Sequence, residues 1–253
     1  MQKNNHQVAS VILAAGKGTR LNCTEIPKVM LKLNGKPMVE HTVENLEEAG
    51  FSSQEIIMVV GFQKEKVKEY FGDRVKYANQ KEQLGTAHAA FKGMKQLSDD
   101  IDDVLVLGGD DSAFYKTETL RAFVDRHTKN NSVLTLLSTK LENPDQYGRI
   151  IRHNSGDVEI IEKEYLTEKQ EKIKEISTGT FCFDKEWFLE TFPDMPKMKK
   201  LGEYGLPTAL AMARQQGVEY QVVELEDEQE WIGVNTPEDL KQARKMMNKR
   251  KDN

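Results

Sequence analysis

The chain has only two cysteines among its 253 residues, Cys23 and Cys182, and they lie far apart. That excludes a disulfide scaffold and a zinc site of paired thiolates, and it makes a reduced, cytoplasmic setting the expectation. Its five histidines, His6, His41, His88, His127 and His153, are scattered. No triad or metal-ligand spacing joins them, so they read as surface or structural residues, and only His88 falls inside a motif. Long apolar runs are missing as well. Nothing approaches the roughly 20 residues that cross a bilayer, so no membrane is expected as a partner. The eight-residue run that follows Lys3 and ends at Ala15 suits a first core strand better than a signal peptide. An excess of positive charge is the last absence. Lys and Arg number 36 against 41 Asp and Glu, a formal net charge of −5, which argues against sequence-independent binding of nucleic acid or anionic membrane. There is no internal repeat and no low-complexity linker.

What basic charge there is gathers in two places. One is the tail, residues 245–251, which reads as the solvated end of a last helix, where cations suit the helix dipole. The other is the loop Gly16-Lys17-Gly18-Thr19-Arg20, fed by the apolar segment Val8-Ala9-Ser10-Val11-Ile12-Leu13-Ala14-Ala15. Glycine without a Cβ lets the backbone turn and aim N–H groups at an anion, and Lys17 and Arg20 add about two positive charges. Two common phosphate loops are excluded. The dinucleotide fingerprint needs a third glycine where Leu21 stands, and no Gly-Lys followed by Ser or Thr occurs at the spacing of the nucleoside-triphosphatase loop.

Strand and helix signals alternate through the first half, with strands expected at 8–15, 55–60, 75–78, 104–107 and 133–138. That is the pattern of an α/β fold with a mainly parallel sheet and helices on both faces. In the first helix Pro37 suits the opening turn, Val39, Thr42, Val43 and Leu46 fall at helical spacing, and Gly50 suits the C-terminal cap. Ligands of such sheets lie at the carboxyl ends of strands, where Gly16, Gln80 and Asp110 fall. Beyond about residue 143 the texture changes to a hairpin, 149–152 and 157–161 around His153-Asn154-Ser155-Gly156, then an exposed charged run at 162–174. Pro237 opens a last helix with Leu240, Ala243 and Met247 on one face.

The loop is followed by Ile26-Pro27-Lys28 and Asn34-Gly35-Lys36-Pro37, then by Gln80-Lys81-Glu82-Gln83-Leu84-Gly85-Thr86-Ala87-His88-Ala89. Further on come Tyr147-Gly148-Arg149-Ile150, Glu162, Ser177-Thr178-Gly179 and Gly233-Val234-Asn235-Thr236. Together, from about Val8 to about Arg244, these segments resemble the sugar-phosphate nucleotidyltransferase family, and most of all the uridylyltransferase domain of N-acetylglucosamine-1-phosphate uridylyltransferases. The resemblance implies a Rossmann-like sheet with a smaller sugar-binding β insertion. Residues 1–253 would form a single domain, with a nucleotide-binding half at about 8–140, a sugar-binding half at about 141–235 and a C-terminal helix at about 236–253. Bifunctional members continue into a hexapeptide-repeat acetyltransferase, for which the 253 residues leave no room, so nucleotidyl transfer alone is expected.

A sugar 1-phosphate is ionised at neutral pH and needs no general base to attack the α-phosphorus of a nucleoside triphosphate. The obstacle is charge, so catalysis is mainly positioning and neutralisation. The amides around Gly16, Gly18 and Thr19, with Lys17 and Arg20, are assigned to the β- and γ-phosphates, and Lys28 to the α-phosphate or the incoming sugar phosphate. Mg²⁺ would bridge the reacting phosphates through hard oxygen ligands. Asp110, at a strand end, is placed to supply one ligand, the resemblance carries a second onto Asn235, and Asp111 is a spare carboxylate. The resemblance further implies that uracil lies against the backbone of Ala14, Ala15 and Gly16 and against Gln80, beside Gly85 and Thr86. Gln can pair with a pyrimidine edge by donor and acceptor together. UTP is the first choice, with dTTP and CTP open. Gly148, Glu162 and Ser177 fall where the family holds sugar and ribose.

The acceptor end departs from the family pattern. Gly108 stands where Tyr is usual, Asp111-Ser112 replaces Val-Pro, Ser177 replaces Asn, and Gly205 replaces a second Tyr. N-acetylglucosamine 1-phosphate is the leading acceptor. Glucose 1-phosphate, another hexose 1-phosphate and phosphocholine are alternatives, and a non-catalytic sugar-nucleotide sensor is the alternative of another class.

Overall fold

The computed structural model describes residues 6–251; Lys3 and the side chain of Lys251, both weighed above, lie outside the described residues. The strands are β1 (Val8–Ala14), β2 (Lys32–Leu33), β3 (Lys36–Pro37), β4 (Ile56–Val60), β5 (Lys76–Asn79), β6 (Asp103–Gly108), β7 (Leu134–Lys140), β8 (Arg149–Arg152), β9 (Val158–Ile161), β10 (Glu175–Asp184) and β11 (Tyr220–Glu224). The α-helices are α1 (Met38–Ala49), α2 (Lys64–Phe71), α3 (Thr86–Met94), α4 (Thr117–Asn130), α5 (Glu168–Glu171), α6 (Lys185–Thr191), α7 (Leu206–Gln216) and α8 (Pro237–Lys251). Seven strands form one sheet in the order β11-β7-β10-β6-β1-β4-β5. All neighbours run parallel except β10, which is antiparallel to both β6 and β7. The expected mixed, mainly parallel α/β architecture is therefore present, with β8 and β9 as a separate two-stranded hairpin.

Burial on both faces explains the apolar strands. All five residues of β4 are buried, as a central parallel strand covered on both sides requires. Successive residues face opposite layers. Val11 and Val59 pack toward Ala87, Ala90 and Met94 of α3, while Ile12 and Met58 pack toward Val39, Val43 and Leu46 of α1. Gly50 caps α1 at φ 106°, its N–H reaching the carbonyls of Leu46 and Glu47.

Three details differ from the pattern read in the sequence. Pro37 does not enter the helix: it pairs with Lys32 in the β2–β3 hairpin turned by Asn34 and Gly35 at positive φ, and α1 starts one residue later. β10 runs for ten residues and bulges between Ser177 and Phe181, with Gly179 at φ 79°. β11, an edge strand whose residues are mostly half-buried, carries too weak an alternation to announce itself. The region after residue 141 thus supplies both the hairpin and two strands of the main sheet. Among the described residues no helix is long and apolar enough to cross a membrane.

Candidate active site

The carboxyl ends of β1, β5 and β6 open into a cleft of about 650 Å³. It draws together Ala15, Gly16, Lys17, Gly18, Thr19, Arg20, Lys28, Gln80, Gly85, Thr86, Asp110, Gly148, Glu162, Ser177 and Asn235, residues spread over most of the sequence. Ala14 does not line the cleft: it is 1 % exposed and its side chain packs into the α1 side of the core, because strand alternation turns it away from the face shared by Leu13 and Ala15, whereas the expectation for Ala14 concerned its backbone.

At one end the cleft is cationic. The loop after β1 leads into a short 3-10 turn, Thr19–Leu21, rather than an α-helix. Gly18 has φ 65°, and a Cβ there would lie 2.8 Å from the Lys28 Cβ, so this glycine lets the Lys28 stem lie against the loop. A Cβ on Gly16 would meet nothing within 4 Å. Glycine at 16 thus answers no packing demand of the protein itself. Buried Val29 anchors the turn that carries Lys28. The Lys28 ammonium ion-pairs with Asp110 and donates to Asn235 Oδ1 at 2.9 Å, while Arg20 Nη2 donates to the same oxygen at 3.0 Å. Lys17 is exposed at the rim.

Asn235 reaches Asp110 across 125 residues because two local devices hold it. Val234 N–H donates to the Asp110 carbonyl at 3.1 Å. The N–H groups of Asn235 and Thr236 donate to Asp239 Oδ2 at 2.9 and 2.8 Å, and Asp239 N–H returns to Thr236 Oγ1 at 3.2 Å. This is a capping box at the start of α8, with Pro237 at the first helical position. Asp110 Oδ2 and Asn235 Oδ1 therefore converge on one cation, the Lys28 ammonium. Among the described residues no group of three or more His, Cys, Asp or Glu side chains could hold a metal, so a divalent ion here would draw its remaining oxygens from a ligand and water.

The opposite wall is built on β5 and α3. Gln80 is 4 % exposed, and its Nε2 donates to the Gly85 carbonyl at 3.0 Å and lies 3.0 Å from His88 Nδ1. Burial, with Lys92 nearby, lowers the His88 pKa, which keeps the ring neutral and able to accept. Both contacts of the Gln80 Nε2 are thus made within the protein, so of the paired donor and acceptor expected from its side chain only the carbonyl oxygen is left for a ligand. The donor is committed to shaping the loop. Gln83 Nε2 donates to the Ala15 carbonyl at 3.1 Å. Gly85, at φ 106°, could not carry a Cβ, which would fall 2.5 Å from the Tyr204 carbonyl oxygen. Thr86 Oγ1 accepts from Leu206 N–H at 3.0 Å, so this segment is stitched to the start of α7.

The third wall comes from β8, β9 and β10. A Cβ on Gly148 would lie 2.7 Å from the Ile161 carbonyl and 3.3 Å from Glu162 Oε2, so glycine brings the two strands together here. Arg149 is 1 % exposed and donates to the carbonyls of Pro144, Tyr147 and Glu171, which shapes the turn before Gly148. Ser177 Oγ accepts from Gly179 N–H at 3.2 Å in the bulge. Burial pushes the Glu162 carboxyl above the usual range, with Glu164 adding to it. Burial and Asp110 push Asp111 well up, against the pull of Lys28. Gln83, Gln146, Tyr147, Gly179 and Glu203 also line the cleft. They carried no assigned role in the sequence, although all but Glu203 sit within or beside quoted motifs.

Glu162 yields a stability prediction. Its pKa is higher in the folded chain than in the unfolded one, so the unfolded chain loses the proton first as pH rises. Stability then falls from the ordinary carboxylate range upward, and the cost is complete above the raised folded value. Glu162→Gln is expected to raise Tm by roughly 2 °C at pH 7, with the gain fading as pH is lowered toward 4. Calorimetric melts across that range check it; a gain that grows on acidification overturns the assignment.

Residues 9–250 match the model of the nucleotidyl transferase family. The bifunctional protein GlmU of Bacillus licheniformis is 38 % identical over 242 residues, covering 95 % of this chain and 52 % of that protein. The GlmU of Heliobacterium modesticaldum is 35 % identical over 246 residues, covering 97 % and 53 %. The chain thus spans about half the length of the curated relatives it matches. A solved structure from Bacillus anthracis, named as a glucose-1-phosphate thymidylyltransferase and in complex with a sucrose, superposes with a TM-score of 0.78 over 95 % of both chains at 21 % identity, a likeness of fold. With a family match across nearly all its length and that family's fold around a cleft at the strand ends, the chain belongs to the nucleotidyl transferase family.

Proposed function

We propose that the chain transfers a uridylyl group from UTP to a sugar 1-phosphate, with N-acetylglucosamine 1-phosphate as the leading acceptor. The observation that carries this reading is the two-ended cleft: Lys17 and Arg20 at one end, hydroxyl, carboxyl and glycine positions at the other, and Lys28, Asp110 and Asn235 at the junction. An acceptor phosphate oxygen attacks the α-phosphorus, the bond from that phosphorus to the bridging oxygen of the β-phosphate breaks, and pyrophosphate leaves. No proton moves, so no base is required. Lys17 and Arg20 with the amides of Gly16, Gly18 and Thr19 hold the β- and γ-phosphates. Lys28 neutralises charge at the reacting phosphates, the kind of interaction that carries most of the rate in such transfers. The base lies against Ala15, Gly16 and the Gln80 carbonyl oxygen, which suits the ring N–H of uracil or thymine, so dTTP is the nearest competing donor. Gly85 and Thr86 shape that wall, and Gly148, Glu162 and Ser177 face the sugar and ribose.

Asp110 and Asn235 would hold Mg²⁺. The fit is seen in their two hard oxygens meeting at one cation, and Mg²⁺ is commonly bound by one or two protein oxygens plus phosphate and water. When bound it supplies charge neutralisation across the reacting phosphates. Lys28 then has to leave the shared position and turn toward phosphate.

A second reading keeps the chemistry and changes the acceptor. It is favoured by the refilled space at the acceptor end: Asp111 lies over Gly108, and the Met198 thioether fills the room beside Gly205. Pyrophosphate release with Mg²⁺ decides between them, crossing UTP, dTTP and CTP against N-acetylglucosamine 1-phosphate, glucose 1-phosphate, other hexose 1-phosphates and phosphocholine. UTP with N-acetylglucosamine 1-phosphate is the expected pair. UTP binding with no release across the panel would instead favour a non-catalytic sensor.

A further inference from the structure

Gly108 ends β6 and leaves the space above its Cα to another side chain. A Cβ built there would lie 2.8 Å from Asp111 Cγ, and one built on Gly179 would lie 3.3 Å from Asp111 Oδ2. The Asp111 carboxyl is therefore seated between two glycines, one closing β6 and one in the β10 bulge, on the floor of the acceptor end. Its Oδ1 is screened from solvent and has no hydrogen-bond partner in the protein. A buried acceptor left without a hydrogen bond is costly, and native interiors keep few of them. The side-chain donors of Lys28, Ser112 and Tyr115 are committed elsewhere. Lys28 is held by Asp110 and Asn235, the Ser112 hydroxyl donates to the Gly108 carbonyl, and the Tyr115 hydroxyl is paired with Thr180 Oγ1.

The polarity of this end agrees with an unfilled acceptor: the carboxyl groups of Asp111, Glu162 and Glu203 all line the cleft. A ligand that brings O–H or N–H groups satisfies such a wall; one that brings methyl or methylene groups leaves it unpaired. We propose that Asp111 is the residue that selects the acceptor, accepting a hydrogen bond from a hydroxyl or amino substituent of the sugar ring and rejecting acceptors that lack this donor. The proposal rests on the nucleotidyl-transfer reading and adds to it the substituent class that the site demands.

Sites built to hydrogen-bond a substrate group reject analogues without it by orders of magnitude. The experiment measures kcat/KM for the accepted sugar 1-phosphate and for its singly deoxygenated and amino analogues, in the wild type and in D111A, D111N and G108A. The G108A methyl would displace the Asp111 carboxyl without altering its chemistry. In the wild type one deoxy position should cost at least about 100-fold. D111A and G108A should each shrink that ratio below about fivefold, their double variant should shrink it no further, and D111N should keep part of it. The ratios at the other ring positions should not change. Amino and hydroxyl analogues at the sensitive position show which donor is preferred, and melting curves verify that each variant is folded. Unchanged discrimination in D111A, or a uniform loss on every acceptor, overturns the proposal. Calorimetric binding of UDP-glucose, UDP-N-acetylglucosamine and their deoxy counterparts gives the same comparison without turnover. Selective binding without transfer therefore refutes the reaction and upholds Asp111, whereas absence of any binding refutes both.

Discussion

Replacing Lys28 by methionine is expected to lower kcat by about a thousandfold while leaving the melting temperature within a few degrees of the wild type. Lys28 is 12 % exposed at its side chain and touches both Asp110 and Asn235, so it stands where the acceptor phosphate and the α-phosphorus meet under the proposed function. Methionine keeps the stem that packs against Gly18 and removes only the charge. The loss should fall mainly on kcat, because the ammonium matters most where charge is redistributed in the transition state. Lys17 offers the contrast. It sits exposed at the rim, where water screens it, and Lys17→Ala should cost about tenfold, mostly in the KM for UTP. Steady-state kinetics with both substrates varied check the pair. A Lys28→Met enzyme within tenfold of the wild type would remove Lys28 from the reacting centre.

The largest expected loss of stability comes from Arg149, which touches no proposed ligand. Its guanidinium is 1 % exposed and faces backbone carbonyls rather than a carboxylate. Two effects oppose each other on replacing it with methionine. Removing a desolvated charge relieves a cost, which at this site lowers the Arg149 pKa. Against that, the inward carbonyls of Pro144 and Tyr147 lose their donor, at about 1–3 kcal/mol each, and the turn before Gly148 loses the group that shapes it. The second effect should win, because methionine fills the volume but satisfies neither carbonyl. A net loss of about 3 kcal/mol, or roughly 10 °C in Tm, is expected, together with weaker acceptor binding. Arg149→Lys should recover little, since a single ammonium lacks the fork that spans separate acceptors. Differential scanning calorimetry tests this; a Tm within 2 °C of the wild type would show that relief of the buried charge dominates.

The parts of the site legible in the sequence were those with a local signature. Gly18 beside two cations after an apolar strand marks an anion loop, and Pro237 after Thr236 marks a helix start. Asp110 follows a strand end, which is where sheet ligands sit. The illegible parts depend on partners distant in the chain. Nothing near Gln80 says that its amide is spent on Gly85 and His88, and nothing near Gly16 says that the protein leaves room for a Cβ there. The sequence singles out Asp110 by its place at a strand end and leaves Asp111 as a spare carboxylate without a partner. In the fold one meets Lys28 and the other fills the space over Gly108.

By itself, then, the sequence determined the alternation of apolar strands and helices that makes a mainly parallel sheet, the glycine-rich cationic loop after the first strand and the family. These are properties of period, turn chemistry and short motifs, each encoded within a few neighbouring residues. Tertiary structure alone decided the convergence of Lys28, Asp110 and Asn235, the burial of Arg149 among the carbonyls of Pro144, Tyr147 and Glu171, and the seating of Asp111 between Gly108 and Gly179. The first joins segments more than 80 residues apart, and the last depends on β10 returning antiparallel between β6 and β7. That insertion sets the β10 bulge beside the end of β6, a juxtaposition that long-range burial enforces and no local pattern specifies.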